Sequence, residues 1–440
     1  MALPIDFITR TRALLGNEFD SFEAALQADV PVSIRINEKK GTPAPSTTGA
    51  PCERVAWCET GYYLPERLSF TFDPLFHAGA YYVQEASSMF LEQAIRSHVK
   101  TPVRCLDLCA APGGKSTHLA ACLPEGSLLV SNEVIRSRSH ILAENIAKWG
   151  NPNCIVTNND PKEIGCLTHF FDVIVADVPC SGEGMFRRDP VAVQEWSPEH
   201  VETCAVRQLA ILSSAAQCVR EGGILVYSTC TFSTEENEGV VQKFLESHPE
   251  FVLEKPNVTF GRPAYGVDAV RIFPMDGGEG HFAARFRRVA PCEERFAPFS
   301  FKPDRETQAH AEELYTSLFT DVPGRFQRVR DRVILLPNEL PDIAGLSVLR
   351  AGVEFGEAKK NRIEPAHGIF MASRAENCRS VLHLTSNDPA LFAFLRGEEI
   401  PAEGLSGYTA VAADGIVTGF GKASNGVLKN RYPKGLRTHL

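Results

Sequence analysis

The sequence lacks the features that would tie it to a membrane or to secretion. It has no run of about 18 apolar residues, the length needed to cross a bilayer, so we expect no membrane partner. Near the amino terminus, Asp6, Arg10 and Arg12 interrupt the apolar positions, which excludes the continuous apolar stretch of a signal peptide. We therefore expect a cytoplasmic protein.

Paired C-x-x-C motifs are also absent, although the chain contains 13 cysteines. An odd number of scattered cysteines indicates free thiols in a reducing compartment rather than a disulfide framework. Cys105 and Cys109 are near each other in sequence, but the first should lie in a buried strand and the second in a turn. We therefore expect no metal site.

The chain has no overall basic charge, since its formal net charge is −9. This balance argues mildly against a general nucleic-acid binder. A local basic face can nevertheless bind RNA on an acidic protein, and a solvated surface is an equally good interpretation of each basic cluster taken alone. The two clusters are Lys359, Lys360 and Arg362, and Lys422, Lys429, Arg431, Lys434 and Arg437.

A chain of 440 residues is too long for one core, because domains usually hold about 100–200 residues. Changes of pattern divide it into four units. Residues 1–97 predict an α+β domain, and residues 98–293 alternate strands with helices. Residues 294–376 form an intermediate unit, and residues 377–440 predict a small β-rich module.

The alternation in the second unit predicts a Rossmann-like α/β fold, a mostly parallel sheet covered by helices on both faces. An antiparallel hairpin of residues 269–273 and 282–287 should close the sheet. Ser233 and Glu236 have the spacing of a capping box and predict the start of a helix. The predicted parallel strands are Cys105–Leu108, Leu128–Ser131, Cys154–Thr157, Val173–Ala176 and Ile224–Tyr227.

A glycine-containing turn, LDLCAAPGGKST from Leu106 to Thr117, joins the first strand to a helix. Gly113 and Gly114 let a ligand approach the backbone, and the helix start offers free N–H groups to an anion. Ligands of open α/β sheets bind at this carboxyl edge.

Three ligands compete for that turn. A phosphate-binding P-loop would need a glycine where the chain has Cys109, and a dinucleotide site would need the absent G-x-G-x-x-G. The third, S-adenosylmethionine, would place its carboxylate at the helix start. Acids at the ends of the next three strands, Glu133, Asp160 and Asp177, favour this third ligand, because such an acid can hold ribose hydroxyls.

Two cysteine motifs end the fourth and fifth strands: DVPCSG, with Asp177 and Cys180, and STCT, with Cys230. A thiolate that adds to carbon 6 of cytosine makes carbon 5 nucleophilic enough to attack a sulfonium methyl. Asp177 would stabilise or protonate the ring nitrogen, and a second thiol could assist release. Each cysteine alone would be interpreted as a buried residue that fills space, but two cysteines at the same edge of the sheet favour a catalytic role. These residues do not decide which thiol attacks.

The motifs resemble those of the Nol/Nop/Sun family of RNA cytosine-5 methyltransferases, over essentially the whole chain. The resemblance rests on residues 81–88, 111–115, 177–184 and 228–231. It implies that S-adenosyl-L-methionine is the cofactor, that Cys230 attacks the base, and that Cys180 assists release beside Asp177. It implies a cofactor site formed by Cys109, Ala110, Ala111, Pro112, Gly113, Gly114, Lys115, Glu133, Asp160 and Asp177. The chain departs mildly from the family in having Thr231 where serine is usual.

The carboxyl-terminal extension is similar to that of the branch that methylates 16S ribosomal RNA. Its last module, residues 377–440, resembles a PUA-type RNA-binding fold through residues 419–424 and 428–430. The resemblance also implies an RNA-binding role for residues 1–97 and catalysis in residues 98–293. We expect a monomer that acts on 16S rRNA or the small ribosomal subunit, with transfer RNA as the alternative.

Beyond Cys180, Arg187 and Arg188 are expected to hold RNA phosphates, and Phe186 is expected to pack in the loop, with stacking on a base as the alternative. Two rival interpretations are a methyltransferase for a protein or small molecule, and an RNA-binding protein that has lost catalysis. The paired cysteines and the basic carboxyl terminus speak against the first. The intact glycine turn, Asp177 and both cysteines speak against the second.

Overall fold

The computed structural model describes residues 3–43, 45–47, 50–255, 257–293, 298–300, 304–360 and 362–438. The predicted boundary at residue 294 lies outside these described residues. Within them, no helix combines the length and the apolarity needed to span a bilayer.

The amino-terminal residues form a three-stranded antiparallel sheet preceded by two helices, and a small hairpin is inserted. The order of the sheet is β4-β1-β5. The elements are α1 (Ile5–Leu15), α2 (Phe19–Gln27), β1 (Val32–Ile36), β2 (Ser46–Thr47), β3 (Ala50–Pro51), β4 (Gly61–Leu64), α3 (Pro74–His77), β5 (Tyr81–Val83) and α4 (Leu91–Ile95).

A ten-stranded sheet follows, and it confirms the predicted Rossmann-like core with its antiparallel hairpin. Its first elements are β6 (Arg104–Asp107), α5 (Gly114–Cys122), β7 (Leu128–Asn132), α6 (Arg136–Trp149), β8 (Cys154–Thr157), α7 (Pro161–Ile164) and β9 (Phe171–Asp177). It continues with α8 (Pro190–Glu195), α9 (Pro198–Ala216), β10 (Val219–Thr229), α10 (Glu238–Ser247), β11 (Phe251–Glu254), β12 (Arg262–Pro263), β13 (Val270–Ile272) and β14 (His281–Arg288).

Strands β10, β9, β6, β7 and β8 are parallel neighbours in that order, and β14 pairs antiparallel with β10. Both faces of this sheet are buried. Along β9, Ile174 and Ala176 pack into one apolar cluster while Val173 and Val175 pack into another. This two-sided burial explains why the parallel strands are continuous apolar runs in the sequence.

The carboxyl-terminal part holds a four-stranded and a five-stranded sheet, and the β-rich PUA-like module is confirmed. The elements of the first part are α11 (Arg305–Leu318), β15 (Phe326–Val329), β16 (Arg332–Leu335), β17 (Val348–Ala351), β18 (Val353–Lys359), β19 (Arg362–Pro365) and α12 (His367–Met371). Those of the last module are β20 (Val381–Leu384), α13 (Pro389–Arg396), β21 (Ile400–Pro401), β22 (Gly407–Ala413), β23 (Ile416–Ser424) and β24 (Val427–Asn430).

Two details differ from the sequence-based expectations. Strand β17 pairs antiparallel with β8 and extends the central sheet, although it belongs to the intermediate unit. The predicted capping box of Ser233 and Glu236 is wrong, because α10 begins only at Glu238 and Glu236 is fully buried. Tertiary contacts of Glu236, described below, override its local spacing.

Candidate functional site

The carboxyl ends of the parallel strands open onto a cleft of about 560 Å³. The structure brings seven of the predicted site residues to its wall: Cys109, Ala111, Glu133, Asp160, Asp177, Cys180 and Cys230. The cleft wall does not include the remaining five, Ala110, Pro112, Gly113, Gly114 and Lys115. These five belong to the glycine turn and the first turn of α5.

The glycine turn links β6 to α5 as predicted. Gly113 has a φ of +116°, a conformation in which any other residue would be strained, and it precedes the first residue of α5. The buried Asp107 fixes the turn, because its Oδ2 accepts a hydrogen bond from Ser116 Oγ at 2.6 Å. Burial raises the pKa of Asp107 to about 7. Sequence reasoning missed this internal support.

Glu133 lies directly after β7, as predicted, and it is joined to the glycine turn by Arg138. Glu133 Oε1 accepts a hydrogen bond from the Ile135 N–H at 2.9 Å, and its Oε2 lies 3.6 Å from Arg138 Nη1. Arg138 Nη2 donates to the Ala111 carbonyl at 2.7 Å. Arg138 was not singled out from the sequence, since nothing in α6 marks it apart from its position after β7.

Asp160 lies three residues beyond the end of β8 and caps α7. Its Oδ1 accepts a hydrogen bond from the Lys162 N–H at 2.9 Å. Nearby Val134 and Ile135 line the cleft although they are 53% and 49% exposed, which leaves an apolar wall without a partner. The cleft wall thus offers a carboxylate and an apolar surface, and the turn that contributes Cys109 and Ala111 to it leads into the start of α5. These groups fit the ribose, adenine and methionine carboxylate of S-adenosylmethionine.

The two thiols meet at the other end of the cleft. Cys180 belongs to the β9 loop (residues 178–189) and Cys230 to the β10 loop (residues 230–237), and their Sγ atoms are 3.2 Å apart. The hydrogen bond to Cys230, followed by burial, raises the pKa of Cys180 well above its usual value. Cys180 is therefore a protonated thiol at neutral pH, and it can donate a hydrogen bond to the sulfur of Cys230.

Asp177 is held by two partners beside the thiols. Its Oδ2 is 2.8 Å from Lys115 Nζ, and its Oδ1 accepts a hydrogen bond from Ser228 Oγ at 2.7 Å. Burial would raise the pKa of Asp177, but Lys115, His281 and the hydrogen bond from Ser228 together outweigh it and lower that pKa. Asp177 is therefore ionised, and it is suited to stabilising a protonated ring nitrogen rather than to donating its own proton.

Lys115 keeps its charge although its side chain is only 12% exposed. Burial lowers its pKa, but Asp177 and, more weakly, Asp107 and Cys230 raise it, and the net shift is upward. Lys115 therefore places a positive charge near Cys230. His281 is also affected by the charge of Lys115. Burial and, more weakly, this charge lower the pKa of His281 to about 3, so its imidazole is neutral.

The expectation that Arg187 holds RNA phosphates is wrong. Its side chain is 4% exposed, and it forms an ion pair with Glu279 at 2.9 Å while donating to the Gly278 carbonyl. Arg188 also contacts Glu279, at 3.3 Å, but its side chain is one third exposed. Phe186 is buried among aromatic side chains, which confirms its packing role.

One group of side chains in the described part of the chain has the composition of a metal site, and it lies away from the cleft. Cys58 Sγ is 3.6 Å from His118 Nε2, which is 3.4 Å from Glu92 Oε2. Burial, and among weaker effects the positive charge of Arg35, lower the pKa of His118 to about 4. The buried guanidinium of Arg35 beside these three side chains disfavours the binding of a metal cation. The contacts among Cys58, His118 and Glu92 are therefore best explained as hydrogen bonds.

Profiles of known families match four consecutive parts of the chain. The profile described as 16S rRNA methyltransferase RsmB/F matches residues 98–287. The N-terminal domain of 16S rRNA methyltransferase RsmF matches residues 3–86, and the first C-terminal domain of the RsmF rRNA methyltransferase matches residues 305–372. The PUA domain of methyltransferase RsmF matches residues 381–438.

Comparison with whole proteins gives relatives of the same family. The ribosomal RNA small subunit methyltransferase F of Vibrio atlanticus is 31% identical over 99% of this chain and 97% of its own length. The protein of that name from Escherichia coli is 30% identical over 98% and 96%.

Solved structures agree with the fold. A methyltransferase homologue from Pyrococcus horikoshii is 28% identical with a TM-score of 0.52, over 62% of this chain and 92% of its own. NSun6 from the same organism, 20% identical over 65% and 98% of the two chains with a TM-score of 0.53, is similar in fold.

Proposed function

The chain belongs to the RsmB/F family of 16S rRNA methyltransferases, and we propose that it methylates carbon 5 of cytosine in 16S rRNA through a covalent cysteine adduct. It is an S-adenosyl-L-methionine-dependent RNA methyltransferase. The observation that carries the proposed mechanism is the contact of two thiols, 3.2 Å apart, at a cleft that also holds Asp177. The names of the relatives favour 16S rRNA over transfer RNA.

The proposed cofactor site is Cys109, Ala110, Ala111, Pro112, Gly113, Gly114, Lys115, Glu133, Asp160 and Asp177. S-adenosylmethionine supplies the methyl group as a sulfonium when it is bound. Glu133 would accept hydrogen bonds from the ribose hydroxyls through Oε2, because Oε1 is already bound to the Ile135 N–H. The N–H groups at the start of α5 would face the carboxylate of the ligand.

For catalysis, the target cytosine must leave its stack to enter the cleft. Cys230 then attacks carbon 6, and the Lys115 ammonium stabilises its thiolate. The ring nitrogen takes a proton from water, and the ionised Asp177 stabilises the resulting positive charge while Lys115 and Ser228 hold that carboxylate in place. Once carbon 5 carries the methyl group, water takes the carbon-5 proton, the bond between carbon 6 and Cys230 breaks, and the ring nitrogen returns its proton to water. The protonated Cys180 donates a hydrogen bond to the departing sulfur.

The RNA would also contact basic side chains of the carboxyl-terminal sheets. Lys422 and Lys429 face each other across β23 and β24 and are exposed. Arg362, on β19, and Arg431, beyond β24, both lower the pKa of Glu364, so the intermediate unit and the last module present charge to the same region. Binding should therefore weaken steeply with salt.

We also infer a cytoplasmic monomer. A substrate in the small ribosomal subunit supports the location. Light scattering during size-exclusion chromatography would measure the molar mass, and the mass of a dimer would contradict this inference.

The experiment that tests the function offers purified enzyme and tritiated S-adenosylmethionine to 16S rRNA, to small subunits and to transfer RNA separately. We expect labelled 5-methylcytidine, identified by mass spectrometry of the nucleosides, from 16S rRNA or small subunits. Label in transfer RNA alone would contradict the target, and label at another position of the base would contradict the reaction.

A further inference from the structure

The loops that carry the two thiols are joined by two buried carboxylates, which we call the carboxylate pair, Glu183 and Glu236. Glu183 belongs to the β9 loop, but its Oε2 accepts hydrogen bonds from the β10 loop, at 2.9 Å from Thr231 Oγ1 and 2.6 Å from the Phe232 N–H. Glu236 belongs to the β10 loop, and its Oε2 accepts a hydrogen bond from the Ser181 N–H at 3.0 Å. Each carboxylate therefore binds the loop to which it does not belong.

Direct contacts between the loops surround these bonds. Ser181 Oγ lies 3.0 Å from Thr231 Oγ1, and the Gly184 N–H donates to the Cys230 carbonyl at 2.8 Å. A Cβ at position 184 would lie 2.4 Å from that carbonyl oxygen, so only glycine allows the approach. The relative position of the loops thus depends on a small set of atoms next to the thiols.

The carboxylate pair is costly to bury. Glu183 is 3% exposed and Glu236 is 0% exposed, and burial raises the pKa of both. An unpaired buried carboxylate costs several kcal/mol, so the charge must be offset by hydrogen bonds. Here Trp196 Nε1 donates to Glu183 at 2.9 Å and Gln208 Nε2 donates to Glu236 at 2.7 Å. The other hydrogen bonds that offset the buried charge are those that each carboxylate accepts from the opposite loop.

We propose that Glu183 and Glu236 are positioning residues that hold the Cys180 and Cys230 thiols at contact distance. Neither carboxylate lines the cleft, so neither touches substrate or cofactor. Their catalytic importance rests on the proposed function, whereas their control of the distance between the sulfurs does not. Glu236 also contributes, after the hydrogen bond to Cys230 and burial, to raising the pKa of Cys180, which keeps that thiol protonated.

Disulfide formation measures the distance between the sulfurs without reference to methylation. Diamide, an azo oxidant, takes up the two thiol hydrogens and becomes a hydrazine while the S–S bond between Cys180 and Cys230 forms. Mass spectrometry of quenched, digested samples follows the linked peptides over time. We expect Glu183→Gln and Glu236→Gln to form this disulfide about tenfold more slowly than the wild type, because misplacement by about 1 Å is enough to slow a proximity-driven step.

The chain offers two matched controls. Glu235→Gln changes the neighbouring carboxylate, which binds Arg10 and Ser233 instead of the β9 loop, and it should leave the disulfide rate unchanged. Thr231→Ser keeps the hydroxyl that binds Glu183, whereas Thr231→Val removes it without a large change of volume. The serine variant should behave as the wild type, and the valine variant as Glu183→Gln.

Kinetics supply a second readout. For variants that impair positioning, kcat for RNA methylation should fall about 10²-fold while KM for S-adenosylmethionine stays within about twofold, because the cofactor end of the cleft is unchanged. Unchanged disulfide rates and kcat in folded Glu183→Gln and Glu236→Gln would overturn the proposal. If those variants do not fold, equal rates for Thr231→Val and Thr231→Ser would overturn it. Slowed disulfide formation in an enzyme that makes no 5-methylcytidine would refute the proposed function but not the positioning role.

Discussion

The two ends of the cleft are built differently. At the catalytic end, Asp177 already has partners for both oxygens, and each thiol loop is bound by a buried carboxylate. At the cofactor end, Glu133 keeps one oxygen 3.6 Å from Arg138, and Val134 and Ile135 are half exposed. The catalytic end is organised by contacts within the protein, whereas the cofactor end leaves groups available for a ligand.

This difference follows from the chemistry each end must perform. A bond between sulfur and carbon 6 requires atoms fixed to within a fraction of an ångström, which buried hydrogen-bonded networks provide. A cofactor that must bind and leave in every cycle needs accessible polar and apolar groups instead. Substitutions at the catalytic end should therefore reduce kcat, and those at the cofactor end should weaken binding of S-adenosylmethionine.

The largest effect is expected for Lys115→Met, measured as kcat at saturating substrates. Loss of the ammonium removes the stabilisation of the Cys230 thiolate and leaves Asp177 without its ion-pair partner. Methyl transfer at saturating substrates should fall about 10²-fold or more, the size of losing one preorganised electrostatic group. Single-turnover kinetics would measure it, with Lys100→Met, at an exposed position, as the control. A variant of Lys115 with normal kcat would break the comparison.

The same variant should show a changed dependence of stability on pH. In the wild type the pKa of Asp177 is lowered, so its stabilising contribution is complete above about pH 4 and is lost only as the pH falls further. In Lys115→Met, the largest effect that opposes burial is lost and the pKa of Asp177 should rise, so the variant should be destabilised at neutral pH and recover as the pH falls. We expect a deficit on the order of 2 kcal/mol at pH 8 that shrinks towards pH 5. Urea unfolding at both pH values measures it, and a deficit independent of pH would show that Lys115 does not control the ionisation of Asp177.

A smaller effect, and one on binding, is expected for Glu133→Gln. The amide can still accept the hydrogen bond from Ile135, but it loses the charged acceptor for a ribose hydroxyl. The Kd for S-adenosylmethionine should rise about tenfold, or about 1.4 kcal/mol, with kcat at saturation within about twofold. Isothermal titration checks this, with the exposed Glu144→Gln as the control. A fall in kcat without a change in Kd would place Glu133 at the catalytic end instead.

The smallest effect is expected at Asp160, whose carboxylate caps α7. Asp160→Ala should lose about 1 kcal/mol of stability, the usual cost of removing an N-cap. Asp160→Asn keeps the cap and should be as stable as the wild type. Any weakening of cofactor binding in the asparagine variant would therefore result from loss of the negative charge alone. If the asparagine variant is as unstable as the alanine variant, the cap is not the role of this residue.

Sequence patterns predicted the elements whose residues are contiguous. The parallel strands, the glycine turn and the motifs around Cys180 and Cys230 are local, and the periodicity and spacing that predict them are visible in single segments. The thiol contact also followed, because parallel strands place their carboxyl ends at one edge.

The partners of those motifs were not predictable, since they come from distant segments. Glu236 has capping-box spacing with Ser233, but its side chain binds Ser181, 55 residues away in sequence. Arg187 lies in a loop next to the cleft, yet Glu279 from the turn between β13 and β14 takes it as a partner. Strand β17 joined the central sheet from a unit that the sequence pattern separates from it. Local patterns carry no information on such pairings.

The assignment of Cys230 as nucleophile and Cys180 as the releasing thiol is tested most directly by trapping the RNA adduct. Cys180→Ala and Cys230→Ala would each be incubated with 16S rRNA and S-adenosylmethionine and run on a denaturing gel, with Cys166→Ala, at an exposed site, as the control. We predict a slowly migrating covalent protein–RNA band that accumulates with Cys180→Ala and is absent with Cys230→Ala. A band that accumulates with Cys230→Ala and is absent with Cys180→Ala would contradict the account.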